Sequence, residues 1–429
     1  MLDVRWIREH REAVQMAADA KKIGVSIEEL LRRDEQRRDL LKQAEELRRQ
    51  RNGSTKIIAE CSKSGHWPEE GADRLKMRVR RLNEDLRAVE TELESTQREF
   101  DRLMGLVPNV PSPDTPPGNS DADNVELRKH GEPPKFDFYS RDHVELGLLH
   151  GMLDIPRGVK VGGSRSYYLQ GTGMLLHRAV QQLALDLVME AGFHPLEVPM
   201  LVRGAQMWNT GFFPTGEDQA YRIQGEDLWL AGTSEVPLIS FYENEIVDVS
   251  EPIKLAAVST CFRNEVGSAG RDVRGLYRVH QFAKVEMVVI CSPDPAVSES
   301  LHQEITGHAE RLLNMLELPY RVMAVCAGDM SQKTYKQYDI ETWMPSRGAY
   351  GETHSSSNLH SFQARRSNIR CRGAEGKLEY CHTLNNTAAA SPRILIPLLE
   401  NHQREDGSIH IPQALRKYMG GVDTLKPSK

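Results

Sequence analysis

The stretch FRNEVGSAGRDVRGLYRVHQFAKVE, residues 262–286, sets Arg263 and Glu265 two apart at the end of an apolar run, with Glu286 on the run that returns. Strand residues two apart face the same side, so a guanidinium and a carboxylate are expected on one face. An arginine fork matches phosphate oxygens, and a glutamate nearby can hold an amine. Between the runs, Arg271, Arg274 and Arg278 add positive charge, and Gly267, Gly270 and Gly275 let the loop bend. An ion-paired surface hairpin would explain these charges but not three further motifs. AGTSEVPL, residues 231–238, places Thr233 and Glu235 two apart after a strand-like run. GETHSSSNLHSFQARR, residues 351–366, holds Glu352, His354 and a serine run. A carboxylate with a hydroxyl is a hard oxygen pair suited to Mg²⁺, whereas His354 reads as a packed or hydrogen-bonding histidine. TLNNTAAASPRILIPLLENHQ, residues 383–403, reads as a strand, a small-residue turn, and Pro392-Arg393 opening an apolar helix. Arginine gains nothing from the dipole at a helix start, so its charge is expected to serve an anion, which the helix start also favours.

The elements that must position these groups fall into three regions. The first, 1–105, is charged and nearly free of proline and aromatic residues. Leu75, Val79, Leu82, Leu86, Val89, Leu93, Thr96, Phe100 and Leu103 repeat in alternating steps of four and three, the spacing of a coiled-coil seam. Residues 28–60, with Leu30, Leu40, Ala44 and Leu47 on the apolar side, supply the partner helix, and CSKSGHWPEEGAD supplies the turn. The predicted hairpin arm is roughly 45–50 Å long. Arginines crowd its first helix, Arg48, Arg49 and Arg51 among them, but the interleaved acids make a solvated helical pair or a dimerisation coiled coil the favoured reading of this segment taken alone. Residues 106–124 carry five prolines and read as a linker. In 125–429, apolar runs at 195–201, 227–231, 255–262, 276–290, 319–326 and 379–384 predict an antiparallel sheet, with helices at 175–190, 296–316 and 391–402. The fold class is therefore α+β with a separate helical arm.

Composition sets outer limits. A chain of 429 residues with 39% hydrophobic residues is expected to be globular, with two or three domains. A net charge of -6 requires any nucleic acid to be met by a local basic surface. Six scattered cysteines, none in a C-x-x-C, predict reduced thiols, a cytoplasmic protein and no zinc site, although Cys371, Cys381 and His382 cluster around a turn. The N-terminus MLDVRWIREHREAV lacks the apolar region of a signal peptide, and no apolar run reaches the roughly 18 residues of a membrane span.

F-R-x-E on a strand, then a Gly/Arg loop and a returning strand, resembles motif 2 of class II aminoacyl-tRNA synthetases. Arg393 resembles the motif 3 arginine, and AGFHPLEVP, residues 191–199, resembles motif 1. GSAGRDVRGLYRVHQFAKVE, TSEVP, SSSNLHSFQARR, TLNNT and LLENHQREDGSIHIPQALRKYMGG are similar to seryl-tRNA synthetases of bacterial type, as is the helical arm, so the resemblance covers essentially the whole chain. It implies a six- or seven-stranded antiparallel sheet, a homodimer built through motif 1, and formation of seryl-adenylate from L-serine and ATP with Mg²⁺. Serine then passes to tRNA(Ser), and to tRNA(Sec), with the arm contacting the tRNA. It implies catalytic roles for Arg263 and Arg393. Serine would be held by Thr233, Ser234, Glu235, Arg263, Glu286, Asn385 and Thr387. ATP would be held by Arg263, Asn264, Glu265, Val279, Phe282, Glu352, Thr353, His354, Ser355 and Arg393, with Mg²⁺ on Glu352 and Ser355. The sequence departs from the family at Asn264 and Val266, where Ser and Ala are common, and at Asn386-Thr387-Ala388, where bacterial members have Gly-Ser-Gly. It also has Gly351 where arginine is frequent. A specialised serine-activating paralogue, a non-catalytic RNA-binding relative and a ligase loading a carrier protein are the alternative readings. Retention of Arg263, Glu265, Glu352 and Arg393 argues against the second, and the arm argues against the third.

Overall fold

A computed structural model describes residues 1–69, 71–266, 274–373 and 376–427. The chain divides into two compact units: Asp3–Asp19 with Ile23–Val107, and Pro108–Lys429 with Met1–Leu2 and Ala20–Lys22.

The smaller unit is dominated by two helices, α1 (Ile27–Ser64) and α2 (Gly71–Leu106). Ser26 caps α1 by accepting from the Glu29 N–H at 3.2 Å, and Glu28 and Glu29 place negative charge at the positive end of the helix dipole. The helix stops at Gly65, whose φ of 72° suits a left-handed cap. The heptad works as the spacing predicts. Leu75, Leu82, Leu86, Thr96, Phe100 and Leu103 are buried along α2, opposite Leu30, Leu40 and Ala44 of α1. Full burial of one such leucine contributes about 2 kcal/mol. At 38 residues, α1 rises roughly 57 Å, somewhat more than the expected arm. Polar pairs clip the helices together at the seam's edge: Arg48 to Glu90 at 2.7 Å and Gln36 to Glu92 at 3.1 Å. Asp34 is almost fully buried, and Arg8, Arg37 and Arg38 surround its carboxylate at 2.6, 2.9 and 3.2 Å. An unpaired charge there would be costly.

The larger unit is built on an eight-stranded sheet. In chain order its strands are β1 (Val125–His130), β2 (His194–Pro195), β3 (Ile253–Phe262), β4 (Gln281–Cys291), β5 (Tyr320–Ala324), β6 (Lys336–Met344), β7 (Ala349–Asn358) and β8 (His382–Ser391). Their spatial order is β1-β5-β6-β7-β8-β4-β3-β2, antiparallel except where the two-residue β2 lies parallel to β3. The sheet is thus one or two strands wider than the family resemblance implied. One face is apolar: Val285, Met287 and Val289 of β4 and Leu384 and Ala389 of β8 belong to the main core. The helices α3 (Thr172–Glu190), α5 (Pro295–Met315) and α7 (Leu395–Asn401) contribute Leu176, Leu183, Ile305, Leu312 and Leu398 to the same core. Between them in sequence lie α4 (Glu235–Ser240) and α6 (Phe362–Ser367). With one face sealed by helices, polar side chains on the other face are left to form a cleft.

Several strand limits differ from the sequence reading for local reasons. The run 276–290 becomes a strand only from Gln281. Before it, Gly275 takes φ 85° and packs so tightly against His143 that a Cβ there would lie 2.1 Å from its ring nitrogen. The strands β6 and β7 were not anticipated. The proline-rich stretch after α2 is pinned at Asn109, whose buried amide donates to the Lys333 and Leu359 carbonyls at 3.1 and 2.9 Å.

Candidate active site

A cleft of about 300 Å³ opens on the polar face of the sheet. Strand alternation fills its floor. Phe282, Lys284 and Glu286 of β4 line it, while Val285 and Met287, alternating with them, face the core. On β8, Asn385 and Thr387 line it, and Asn386 points the other way, its amide donating to the Ile305 carbonyl at 2.7 Å. A bulge between Thr387 and Ala389 then shifts the register, so that Ala390 also reaches the cleft. On β7 a second irregularity, opposite Ile340 and Glu341, lets Glu352, Thr353 and Ser355 all line the wall.

Arg263 and Glu265 do share the cleft, but alternation is not the cause. The strand β3 ends at Phe262, and Glu265 takes φ 53°, a left-handed turn that brings its carboxylate back inward. There it accepts from Arg278 at 3.2 Å. Arg263 is fixed by its own main chain: its N–H donates to the His280 carbonyl at 2.9 Å, and its guanidinium lies 5.2 Å from the Phe282 ring centroid. Thr233 and Glu235 meet through a helix start, where the Glu235 N–H donates to Thr233 Oγ1 at 3.1 Å. Arg393 stands just ahead of α7, beyond the cis Ser391–Pro392 bond. Arg271, Gly267 and Gly270 lie outside the described residues.

Among the expected site residues, Arg263, Glu265, Thr233, Glu235, Val279, Phe282, Glu286, Glu352, Thr353, Ser355, Asn385, Thr387 and Arg393 line this one cleft. Three others do not. Asn264 turns outward, its amide donating to the Asp218 carbonyl at 3.3 Å. Ser234 is buried behind the wall. His354 lies behind it as well, its Nε2 donating to the Ala388 carbonyl at 3.1 Å and its Nδ1 accepting from Thr353 at 2.9 Å. Burial holds the His354 ring neutral, pushing its pKa down to about 4. Arg48, Arg49 and Arg51 lie on α1 of the smaller unit, where Arg49 pairs with Glu46 at 2.6 Å and Arg51 donates to Asn52 at 2.9 Å.

The cleft also holds charges that sequence reading passed over. Lys284 Nζ lies 2.5 Å from Glu286, and Lys333 Nζ lies 2.6 Å from Glu235, all four side chains being buried. Burial raises the Glu286 pKa and lowers that of Lys333. Lys284 could have been found, since it sits two residues before Glu286 on a predicted strand. Lys333 sits in the β5–β6 connection, where no periodicity marks it. Gln363 of α6 joins them, donating to Glu235 at 2.7 Å.

At the opposite end, oxygen-bearing side chains gather. Glu352 and Ser355 line the wall, and Gln337 bridges Ser355 to Asp339 with bonds of 3.1 and 2.9 Å. Burial pushes the Asp339 carboxyl up to about 8, and the charge of Glu352 adds to that rise. Among the described residues no group of three or more His, Cys, Asp or Glu side chains is placed to hold a metal ion, so Glu352 and Ser355 are candidate oxygen donors only.

The site is therefore two-ended: hydroxyl, amide and paired carboxylates at one end, arginines and oxygen ligands at the other. Comparisons with known proteins place the whole chain in a family. Residues 220–402 match the family model described as tRNA synthetase class II core domain (G, H, P, S and T), and residues 1–111 match the seryl-tRNA synthetase N-terminal domain. A serine–tRNA ligase of Deinococcus radiodurans is 45% identical over 99% of both chains, and one of Rubrobacter xylanophilus is 41% identical over 98% of both. The structure is similar to seryl-tRNA synthetase from Pyrococcus horikoshii complexed with ATP, with a TM-score of 0.89 and 36% identity over 100% of both chains. It is also similar to the cytoplasmic serine–tRNA ligase of Naegleria fowleri in complex with AMP, with a TM-score of 0.84, 27% identity, and 100% and 99% of the two chains covered.

Proposed function

The chain belongs to the seryl-tRNA synthetase family, and from that premise we propose that it is a serine–tRNA ligase. It activates L-serine with ATP to seryl-adenylate and transfers serine to the 3′ end of tRNA(Ser), and of tRNA(Sec) where that tRNA is present. The observation that carries this reading is the joining of Thr233, Glu235, Glu286, Asn385 and Thr387 to Arg263, Glu352, Ser355 and Arg393 in one cleft.

The serine carboxylate attacks the α-phosphorus of ATP; a new O–P bond forms and pyrophosphate departs with the broken one. The protein needs no covalent intermediate. It must hold two anions together and counter the charge that grows as they react. Arg263 and Arg393 suit that task because their guanidinium groups are already fixed by carbonyls and rings. Glu352 and Ser355 would hold Mg²⁺, which when bound neutralises phosphate charge. Asn385 and Thr387 offer polar partners at the serine end, and a site whose polar groups stay unpaired rejects an amino acid lacking the hydroxyl. In the second half-reaction the ribose hydroxyl of the tRNA terminus attacks the seryl carbonyl, and AMP leaves.

The arm, through Arg48, Arg49 and Arg51, contacts tRNA backbone in this reading. The motif 1 region, α3 with β2, forms a homodimer interface; Met174 and Leu175 of α3 are exposed there. The protein works in the cytoplasm, and no described helix is long and apolar enough to cross a membrane. Charging of total bacterial tRNA with labelled serine, alanine, threonine and cysteine tests the proposal. Serine alone is expected on tRNA; serine-dependent pyrophosphate exchange without charging would overturn the tRNA half.

A further inference from the structure

Lys333 occupies Glu235, one of two buried carboxylates of the cleft, with Glu286, that could receive an amino acid's ammonium. Glu235 Oε1 receives three donors: Lys333 Nζ at 2.6 Å, Gln363 Nε2 at 2.7 Å and Asn385 Nδ2 at 2.9 Å. Three donors already crowd the lone pairs of that one oxygen, so a substrate ammonium that takes Oε1 displaces one of these. Two of the three have little freedom to leave. Gln363 also donates to the Thr210 carbonyl at 2.8 Å, and its own oxygen accepts from Thr383 at 2.8 Å. Asn385 reaches Glu235 on a short stem from the central strand β8. Lys333 alone sits on a flexible four-carbon stem.

The fold makes a place for that stem. Gly211, at φ 81°, passes so close that a Cβ there would lie 3.2 Å from Lys333 Cβ and 3.3 Å from its Cδ. The Phe212 ring lies under the ammonium, its centroid 3.8 Å from Nζ. That aromatic face gives the ammonium a second partner when it leaves Glu235. Charge points the same way. Lys284 with Glu286 and Lys333 with Glu235 balance before any substrate enters, so a substrate ammonium adds a third buried cation.

We propose that Lys333 is a resident competitor for the substrate ammonium, a specificity-determining residue that must leave Glu235 before an α-amino acid can seat. The inference rests on the reading of this cleft as the serine-activating site. It predicts that the enzyme accepts serine less tightly than its polar groups allow, and that an analogue without an amine is spared this competition.

The test is serine-dependent ATP–pyrophosphate exchange by wild type, Lys333→Met and Lys333→Arg, with glycerate as inhibitor. Glycerate carries the hydroxyl and carboxylate of serine and no amine. In Lys333→Met the KM for serine is expected to fall about fivefold or more, with the glycerate inhibition constant within about twofold of wild type and Lys333→Arg close to wild type. An unchanged or raised KM, or equal shifts for serine and glycerate, would overturn the proposal. Should the Met variant fail to fold, crystals of wild type with each compound decide: Nζ should leave Glu235 with serine and stay with glycerate, and staying in both refutes the idea. Wild type that exchanges with no amino acid overturns the serine reading and this inference together; exchange without a gain in Lys333→Met overturns this inference alone.

Discussion

Arg393 rests on Glu352. Its Nη1 donates to the Glu352 main-chain oxygen at 3.1 Å and lies 3.6 Å from the same residue's carboxylate. Its Nε donates to the Tyr277 carbonyl at 3.1 Å, with the guanidinium 4.6 Å from the Tyr277 ring centroid. The arginine is thereby aimed before a ligand arrives, which spares reorganisation when charge develops. It also ties the segment ahead of α7 to the residue expected to hold the metal.

Arg393→Ala should lower pyrophosphate exchange by about 10²–10³-fold, the usual cost of a lost charge-stabilising group. Circular dichroism and the thermal midpoint should stay near wild type, because Arg393 is on the cleft wall rather than in the core. Near-normal exchange would show that Arg393 does not serve the reaction.

Thr387→Val keeps the side chain's volume and removes its hydroxyl. The KM for serine should rise by roughly tenfold, the scale of one neutral hydrogen bond. Discrimination against alanine should shrink in parallel, since the site then has less to leave unpaired. Exchange assays with both amino acids at fixed ATP measure it; an unaltered serine-to-alanine ratio would remove Thr387 from specificity.

Neutralising Arg48, Arg49 and Arg51 together should raise the KM for tRNA and leave serine-dependent exchange normal. The salt dependence of tRNA binding should flatten as well, since fewer counterions are released. Their pairing with Glu90, Glu46 and Asn52 makes the competing outcome concrete. If these arginines only brace the arm, the KM for tRNA at physiological salt will not move.

Buried histidines set an acid limit on stability. Burial holds His354 and His302 down to about 4, against an ordinary 6.5. As pH falls, the unfolded chain takes up these protons first, so the stability they leave intact above pH 6.5 is lost progressively toward pH 4. At pH 5 each such group costs roughly 2 kcal/mol. Urea midpoints at pH 7 and pH 5 should show the loss, and His354→Gln should make it smaller. A loss of equal size in the variant would assign the acid sensitivity to other groups.

Much of this molecule is legible without coordinates. The heptad from Leu75 to Leu103 determined the helical hairpin, because burial along a helix depends on spacing and little else. Half of the cleft residues were legible too, Arg263, Glu265, Thr233, Glu235, Glu352 and Arg393 among them, because they sit in motifs whose chemistry is local. What the sequence could not set was the path of the backbone between them. The strand β7 hides in GETHSSSN because it turns polar side chains into a cleft and has no apolar alternation to announce it. Glu265 reaches the site through a left-handed turn, and Ala390 through a bulge, neither of which strand periodicity contains. Asn264, Ser234 and His354 share those motifs and still face away from the cleft. Only the tertiary structure brought Lys333, distant in sequence and without any periodic signal, onto Glu235. A buried carboxylate needs a counter-charge, but which residue supplies it is decided by where a loop and a helix start meet in space.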